Sequence, residues 1–562
     1  MKLKKILMFL ISLYVLTFFA CEEQILYTQP ESTFSEKDVW SDIKLARKFA
    51  FDQYNALNSF SLSRVNWGGG IMMMSSICDE SYNKWSIVET INQGTISPSQ
   101  KEWIFNNTWR YRYKFIRNIN MFLENIDEVD NASQEEIERL KGEMKYIRAR
   151  LYFKLINFNG GVPIITKVFG LDEEFEEERD SYEDCVNFIV EELDEAADML
   201  DLQAPQWGRI TKGACLAMKS RVLLYAAGKL HDPGTSRLAS GPLFDYDVSN
   251  KWQEAADAAE AVIIDLNQYS LVQTENWKDY QNMFISNNSE VILARPFHSE
   301  FGTSEYRPDL MNSPNGYGGW ACNTPTQNIV DDYEMDNGKM INEAGSGYSV
   351  DSMYQDRDPR FYANILYNGS MFRGREVEGF IPGGKDSKDG PGGWNFSRTG
   401  YWMRKFMDES IDFTTTMGNQ PWILIRLAEI YLNYAEAQYH LGNEGTAREY
   451  VNKVRRRVGM PEISTSGQEL LEDIKHEREI ELMFEGHRFF DLRRWMDGEE
   501  LNEACRGIEW KKLDEESELA SDGELTPNFI DVAERNFTDK LYYFPLDYSE
   551  ISKTGMQQNP GY

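Results

Sequence analysis

Apolar residues recur at helical spacing along most of this chain, and that periodicity restricts what it can fold into more than any other feature. Leu140, Met144, Ile147, Leu151 and Phe158 lie on one face of a helix over 134–158. Gly160, Gly161 and Pro163 stop it. Val186, Ile189, Val190, Leu193, Ala197 and Leu200 repeat the pattern over 182–200, and Cys215, Met218, Val222, Tyr225 and Ala226 form the next stripe. Trp252, Ala255, Ala256, Ala259, Ile263 and Leu266 form another.

The clearest pair lies near the C-terminus. Leu427, Ile430, Tyr431, Tyr434 and Ala435 lead to Leu441, Gly442-Asn443 breaks the chain, and Ala447, Tyr450, Val451, Val454 and Val458 give a second face. Two helices joined by a short glycine turn, with alanine where they cross, look like a tetratricopeptide hairpin. The ~34-residue period of such repeats is not kept, so the expectation is a mainly α fold of degenerate helix pairs.

Between the helical parts the composition changes. Residues 290–420 are rich in Gly, Asn, Asp, Tyr and Trp, with turn-forming stretches such as SPNGYGGW and GGKDSKDGPGGWNF. Val291-Ile292-Leu293-Ala294 reads as a short strand. A second such region runs from Asn66 to Ser97. Long ordered loops in a compact protein usually carry function, and this aromatic content argues against plain disorder.

Charge excludes several partners. With 59 Lys+Arg against 91 Asp+Glu, the 562 residues carry a formal charge of −32. Nucleic acid and anionic lipid both need a basic surface. The N-terminus is an address: Lys2, Lys4 and Lys5 precede an uncharged run from Ile6 to Ala20, too short to span a bilayer. Phe19-Ala20-Cys21 resembles a bacterial lipobox, although Phe18 stands where Leu is usual, and Glu22-Glu23 follow as in some surface-exported lipoproteins. Cleavage removes residues 1–20 with their three Lys, moving the charge from −32 to −35. Lipidation of Cys21 leaves Cys78, Cys185, Cys215, Cys322 and Cys505, an odd number without a CxxC.

Catalytic and metal motifs are weak. His231, His298, His440, His476 and His487 are scattered, and no HExxH, GxSxG or P-loop occurs in its required context. Asp332 to Gly338, with Glu343, departs from a calcium loop in its glycine and its third ligand, and reads as incidental turn acids. Residues 476–495, HEREIELMFEGHRFFDLRRW, could offer Glu485 and Asp491 as an acid and base. The favoured reading is a packed helix whose carboxylates are neutralised by arginine forks. No cofactor and no metal is expected.

Several motifs in a fixed order carry a family resemblance: Cys21; Gly142-Glu143-Met144-Lys145-Tyr146-Ile147-Arg148-Ala149 running to Gly161-Val162-Pro163; Gly208-Arg209-Ile210-Thr211-Lys212-Gly213-Ala214 before Arg221; Arg357-Asp358-Pro359-Arg360; the segment Arg426 to Ala437; Val451-Asn452-Lys453-Val454-Arg455; Glu477-Arg478 to Trp495; and Gln558-Asn559-Pro560-Gly561-Tyr562. In this order they resemble the SusD/RagB family of outer-membrane glycan-binding lipoproteins. The resemblance implies a non-enzymatic protein, lipid-anchored on the outer membrane and facing outward. Such a protein sits on a SusC-like, TonB-dependent barrel as a hinged lid and delivers oligosaccharide to it. Some members take peptides or glycoproteins instead, and a glycoside hydrolase is the remaining alternative. The expected organisation is a signal peptide over 1–20, a helical part over 21–290, a loop-rich ligand-binding insertion over 291–420, and a C-terminal helical part over 421–562. The two helical parts are expected to pack as one domain.

Sugar faces stack on aromatic rings, and hydroxyls need planar polar partners. The loops therefore nominate Trp67, Asp79, Glu80, Tyr82, Asn83 and Trp85 in one region, Tyr317, Trp320 and Asn323 in a second, and Trp394 and Trp402 in a third. The competing expectation for each aromatic is burial under its own loop.

Overall fold

The computed structural model describes residues 36–57, 73–84, 86–99, 109–170, 172–297 and 307–562. Its main helices are α1 (Ile43–Gln53), α2 (Tyr111–Asn125), α3 (Gln134–Asn159), α4 (Tyr182–Met199), α5 (Lys212–Ala227), α6 (Lys251–Glu260), α7 (Leu427–His440), α8 (Glu444–Arg457), α9 (Gln468–Glu481) and α10 (Arg488–Trp495). The mainly α expectation and the helix stripes are found as read. Side-chain caps fix several starts: Ser133, Ser181 and Thr211 accept from the N–H groups of Glu136, Asp184 and Ala214. Helix α3 ends where Gly160 takes φ 75°, and a Cβ there would meet the Leu243 carbonyl oxygen at 2.6 Å.

Helices α2 to α6 pack successively on one another; α6 then packs on α7, and α7 on α8 and α9. Helices α6 and α7 are therefore neighbours in space, although the loop-rich region separates them in sequence. One apolar core runs through the stack, containing Leu140, Ile147, Ile189, Met218, Val222, Ala255, Ala435, Val451 and Ile474.

The short strands are β1 (Ser81–Tyr82), β2 (Val291–Arg295), β3 (Thr324–Pro325), β4 (Ile365–Leu366), β5 (Trp402–Met403), β6 (Trp422–Arg426), β7 (Cys505–Leu513) and β8 (Glu524–Ala533). Antiparallel pairs form between β1 and β3, β2 and β6, β4 and β5, and β7 and β8. Strand β2 is the predicted one, and β6 returns beside it to enter α7.

Two features differ from expectation. Residues 476–495 form two helices rather than one, because Phe484 (φ 65°) and Gly486 (φ 83°) turn the chain. The C-terminal part also holds the longest strands, in the β7–β8 hairpin. Few of its side chains are buried, so little apolar alternation marks it in the sequence.

The carboxylates of 476–495 are neutralised as read. The buried Arg426 donates to Glu290 (2.8 Å), Glu481 (2.5 Å) and Glu485 (2.6 Å). Arg457 pairs with Glu290 (2.8 Å) and Glu481, and Arg360 with Asp358 (2.8 Å) and Glu477 (2.5 Å). Asp491 is held by Arg478 and Arg494, each at 2.7 Å. Burial opposes charge on Glu485, but Arg426 and Lys405 outweigh it and hold the carboxyl below its ordinary value. Glu485 and Asp491 are thus each paired with two cationic side chains inside the scaffold.

Among the described residues no helix is long and apolar enough to cross a membrane. Cys78, Cys185, Cys215, Cys322 and Cys505 are buried free thiols.

Candidate functional site

Strands β1 and β3 bring the first two nominated loops together. The register pairs Ser81 with Pro325 and Tyr82 with Thr324, and its continuation sets Asn83 opposite Asn323 and Lys84 opposite Cys322. Side chains alternate along an extended strand. Ser81 and Asn83 accordingly point inward and are buried, whereas Tyr82 and Lys84 are partly exposed.

Asn323 is the inward knot. Its Oδ1 accepts from the Met73 N–H (3.0 Å), the Ser76 hydroxyl (2.9 Å) and the Asn83 amide (3.0 Å). Its own amide donates to Asn312 Oδ1 at 2.8 Å. Both asparagines are at most 1% exposed, so they hold the two loops together rather than face a ligand. Asp79 is likewise occupied, by Arg488 at 2.8 Å. Glu80 is buried and accepts from the Phe484 N–H at 3.2 Å.

The third loop joins through Asn315, whose amide donates to the Ser387 (3.1 Å) and Pro391 (3.0 Å) carbonyls. A tight turn follows: Gly392 takes φ 64°, and a Cβ on Gly393 would lie 2.2 Å from the Lys388 carbonyl oxygen. Side chains other than hydrogen are excluded there, and the turn lifts Trp394 clear of the body at 76% exposure. Lys84 reaches across to this loop. Its ammonium donates to Asn395 Oδ1 (2.9 Å) and the Trp394 carbonyl (3.4 Å), and lies 5.5 Å from the Trp394 ring centroid.

The other aromatics divide by exposure. Trp320 is half-exposed, with its ring against a small apolar cluster that contains Met311 and Cys322. Tyr317 is half-buried. Its hydroxyl donates to the Phe372 carbonyl at 2.8 Å, and the Arg375 guanidinium covers its ring at 3.7 Å. Trp402 corrects the expectation of an exposed ring. It is 1% exposed on β5, and its ring tip would lie 2.9 Å from a Cβ on Gly379. Cys21, Trp67 and Trp85 lie outside the described residues.

The face thus comprises Tyr82, Lys84, Trp394, Asn395 and Arg398, with Trp320 on the neighbouring loop. Lys84, Asn395 and Arg398 were not singled out in the sequence. The usable signal was the alternation that puts Lys84 on the same side as Tyr82. Burial raises the Tyr82 phenol above its ordinary value, partly offset by Arg398, and burial lowers the Lys84 ammonium. An open aromatic ring beside amide and ammonium groups suits stacking with a polyhydroxylated ligand.

A separate cleft of about 460 Å³, lined by Trp109, Tyr113, Phe169, Phe175 and Lys553 among others, shares no residue with this face. Among the described residues no group of three or more His, Cys, Asp or Glu could hold a metal ion. Within the faint calcium-like loop, the Glu334 carboxylate is held by Arg455 at 2.7 Å.

Comparison with known proteins agrees with the fold. The model of the SusD family matches residues 264–562, and a second, described as starch-binding associating with outer membrane, matches residues 37–224. The chain therefore belongs to the SusD family. SusD-like protein P38 of Formosa agariphila is 24% identical over 521 residues, covering 86% of this chain and 90% of that protein. A SusD-like protein of Bacteroides fragilis has a solved structure that superposes with a TM-score of 0.78 at 27% identity, covering 94% of this chain and 99% of that one. A laminarin-binding SusD-like protein superposes at TM-score 0.66 and 22% identity, covering 93% of this chain and all (100%) of that one.

Proposed function

We propose that this protein is a non-enzymatic glycan receptor of the outer membrane, anchored outward through lipidated Cys21. It captures oligosaccharide on the Trp394 face and passes it to a partner TonB-dependent barrel. The observation that carries the reading is Trp394 itself, a tryptophan 76% exposed on a loop pinned from both sides. A tryptophan ring presented to solvent offers a flat apolar face beside a polar handle, the form a sugar ring stacks on. The polar groups beside it, on Lys84 and Asn395, match ring hydroxyls. The laminarin-binding relative and a SusD-like carbohydrate-binding protein of Bacteroides fragilis support the ligand class. Non-enzymatic action is supported by the nominated acids Asp79, which is paired with Arg488, and Glu80, which is buried against the Phe484 N–H.

Titration calorimetry against a panel of oligosaccharides tests the reading. At least one should bind, and Trp394→Ala should weaken it ~tenfold or more, as truncation of an aromatic anchor does. The melting temperature should not move, since the ring supports little of the core. Binding that survives Trp394→Ala removes this face from the reading, and peptide binding without saccharide binding moves the ligand class to peptides.

A further inference from the structure

The whole protein is strongly acidic, at −32, yet among the described residues the charged side chains of the Trp394 face, Lys84 and Arg398, are cationic. The Lys84 ammonium donates to the neutral oxygens of Asn395 (2.9 Å) and Trp394 (3.4 Å) and lies 5.5 Å from the Trp394 ring centroid. Among the described residues it forms no ion pair with a carboxylate, and Cys322 and Arg398 act on it electrostatically. Arg398 is exposed, with its guanidinium 5.5 Å from the Phe396 ring, and it acts on both Lys84 and Tyr82. Lys84 binds Asn395, and Arg398 lies three residues further along the same loop, so the two cations sit on one face.

Four acids of the adjoining segments are paired with other cations, whereas Asp389 in the Trp394 loop is exposed. Asp79 is on Arg488 (2.8 Å), Asp386 on Arg375 (2.6 Å), Glu378 on Lys385 (3.0 Å) and Glu509 on Lys388 (3.0 Å). Glu89 acts on the Tyr82 phenol but not on Lys84. Two cations on one face with no carboxylate partner among the described residues, one of them half-buried, cost free energy that an anionic group would recover. The acidic body repels polyanions at long range, so only a locally placed pair of cations could hold one.

We infer that the ligand is an anionic oligosaccharide, its carboxylate or sulfate ester held by Lys84 and Arg398 while a sugar ring stacks on Trp394. This rests on the glycan-receptor reading and adds the substrate class to it. Uronate and sulfate present the same chemistry, a planar or tetrahedral oxyanion, and are separated by the probes.

Purified protein is titrated with three hexasaccharides: neutral laminarihexaose, hexagalacturonate carrying carboxylates, and a carrageenan hexasaccharide carrying sulfates. One anionic probe should bind at least ~tenfold tighter than the neutral one, and its identity names the source of the charge. Arg398→Gln should weaken that probe by about tenfold and leave the neutral probe unchanged, and Lys84→Gln should weaken the anionic probe by about tenfold more than it weakens the neutral one. Lys84→Arg should retain binding. Raising salt about tenfold should weaken only the anionic probe. Melting curves confirm that the variants fold. The inference is overturned if laminarihexaose binds as tightly as the anionic probes, or if the glutamine variants bind them normally. In either case loss of binding in Trp394→Ala leaves the receptor reading standing. Failure of every probe to bind counts against the receptor reading and removes the inference with it.

Discussion

Glu80 shows how a single buried carboxyl can set the behaviour of a loop. Burial pushes it up to about 8, and the neighbouring Asp79 carboxylate adds to the shift. Its oxygen supports the N–H of Phe484, a bulky residue held at φ 65° in the turn before α10. A carboxyl whose folded value lies above its unfolded one favours the folded state at low pH. That contribution declines as pH rises from the unfolded value near 4.5 to the folded value near 8. Glu80→Gln keeps an acceptor for Phe484 and has no proton to lose. It should therefore stabilise the protein at pH 8 relative to pH 5, by roughly 1–3 kcal/mol, in urea titrations of variant and wild type. An equal effect at both pH values would contradict this. Residues of this kind are legible in sequence only as types. Asp79, Glu80 and Asn83 were nominated because acids and amides bind sugars, and the same polarity makes them good internal knots. Which role each takes depends on Asn323, Arg488 and Phe484, hundreds of residues away. Trp402 is closed by its approach to Gly379, which no local pattern announces.

At the scale of elements, arginine forks join α7, α9 and α10. Arg494 grips Glu436 through two bonds of 2.5 and 2.6 Å, and the Trp495 indole donates to the same carboxylate at 2.8 Å. Burial resists ionisation of Glu436, but Arg494 outweighs it and holds the carboxyl at about 2. A carboxyl lowered on folding stabilises the protein above its unfolded value and loses that effect as pH falls through its folded value. Acid unfolding should accordingly steepen between about pH 4.5 and 2. Arg494→Met leaves Glu436 buried without its main partner. It should cost about 3–5 kcal/mol at pH 7 and flatten the acid limb, as measured by denaturant midpoints across pH. An unchanged acid limb would show that this pair does not govern it. The helices themselves were legible, because each buries a stripe that repeats at 3.6 residues. The break between α9 and α10 was not. Phe484 stays buried as it would in a helix, and only its backbone angle departs. Arginine–carboxylate neutralisation was legible from interleaving, although its partners on β6 and α8 were not.

At the scale of the molecule, the contact of α6 with α7 is decisive. Sequence composition marked 291–420 as a different kind of chain, and the structure shows helices on either side of it adjoining one another. Arg221 on α5 reaches Glu429 on α7 at 2.5 Å, and one apolar core continues from α3 to α9. A protein built this way should unfold in one calorimetric transition, because neither helical part keeps a complete core without the other. Two separated transitions would contradict that continuity. The β7–β8 hairpin has a different consequence. Among the described residues β8 pairs only with β7, so its outer margin carries free backbone donors and acceptors. Such a margin invites a second molecule to add its own strand. Pro527 removes one donor from the margin, and Glu524 and Asp531 give opposing copies like charges. On the proposed surface location, these residues would oppose strand addition between neighbouring copies.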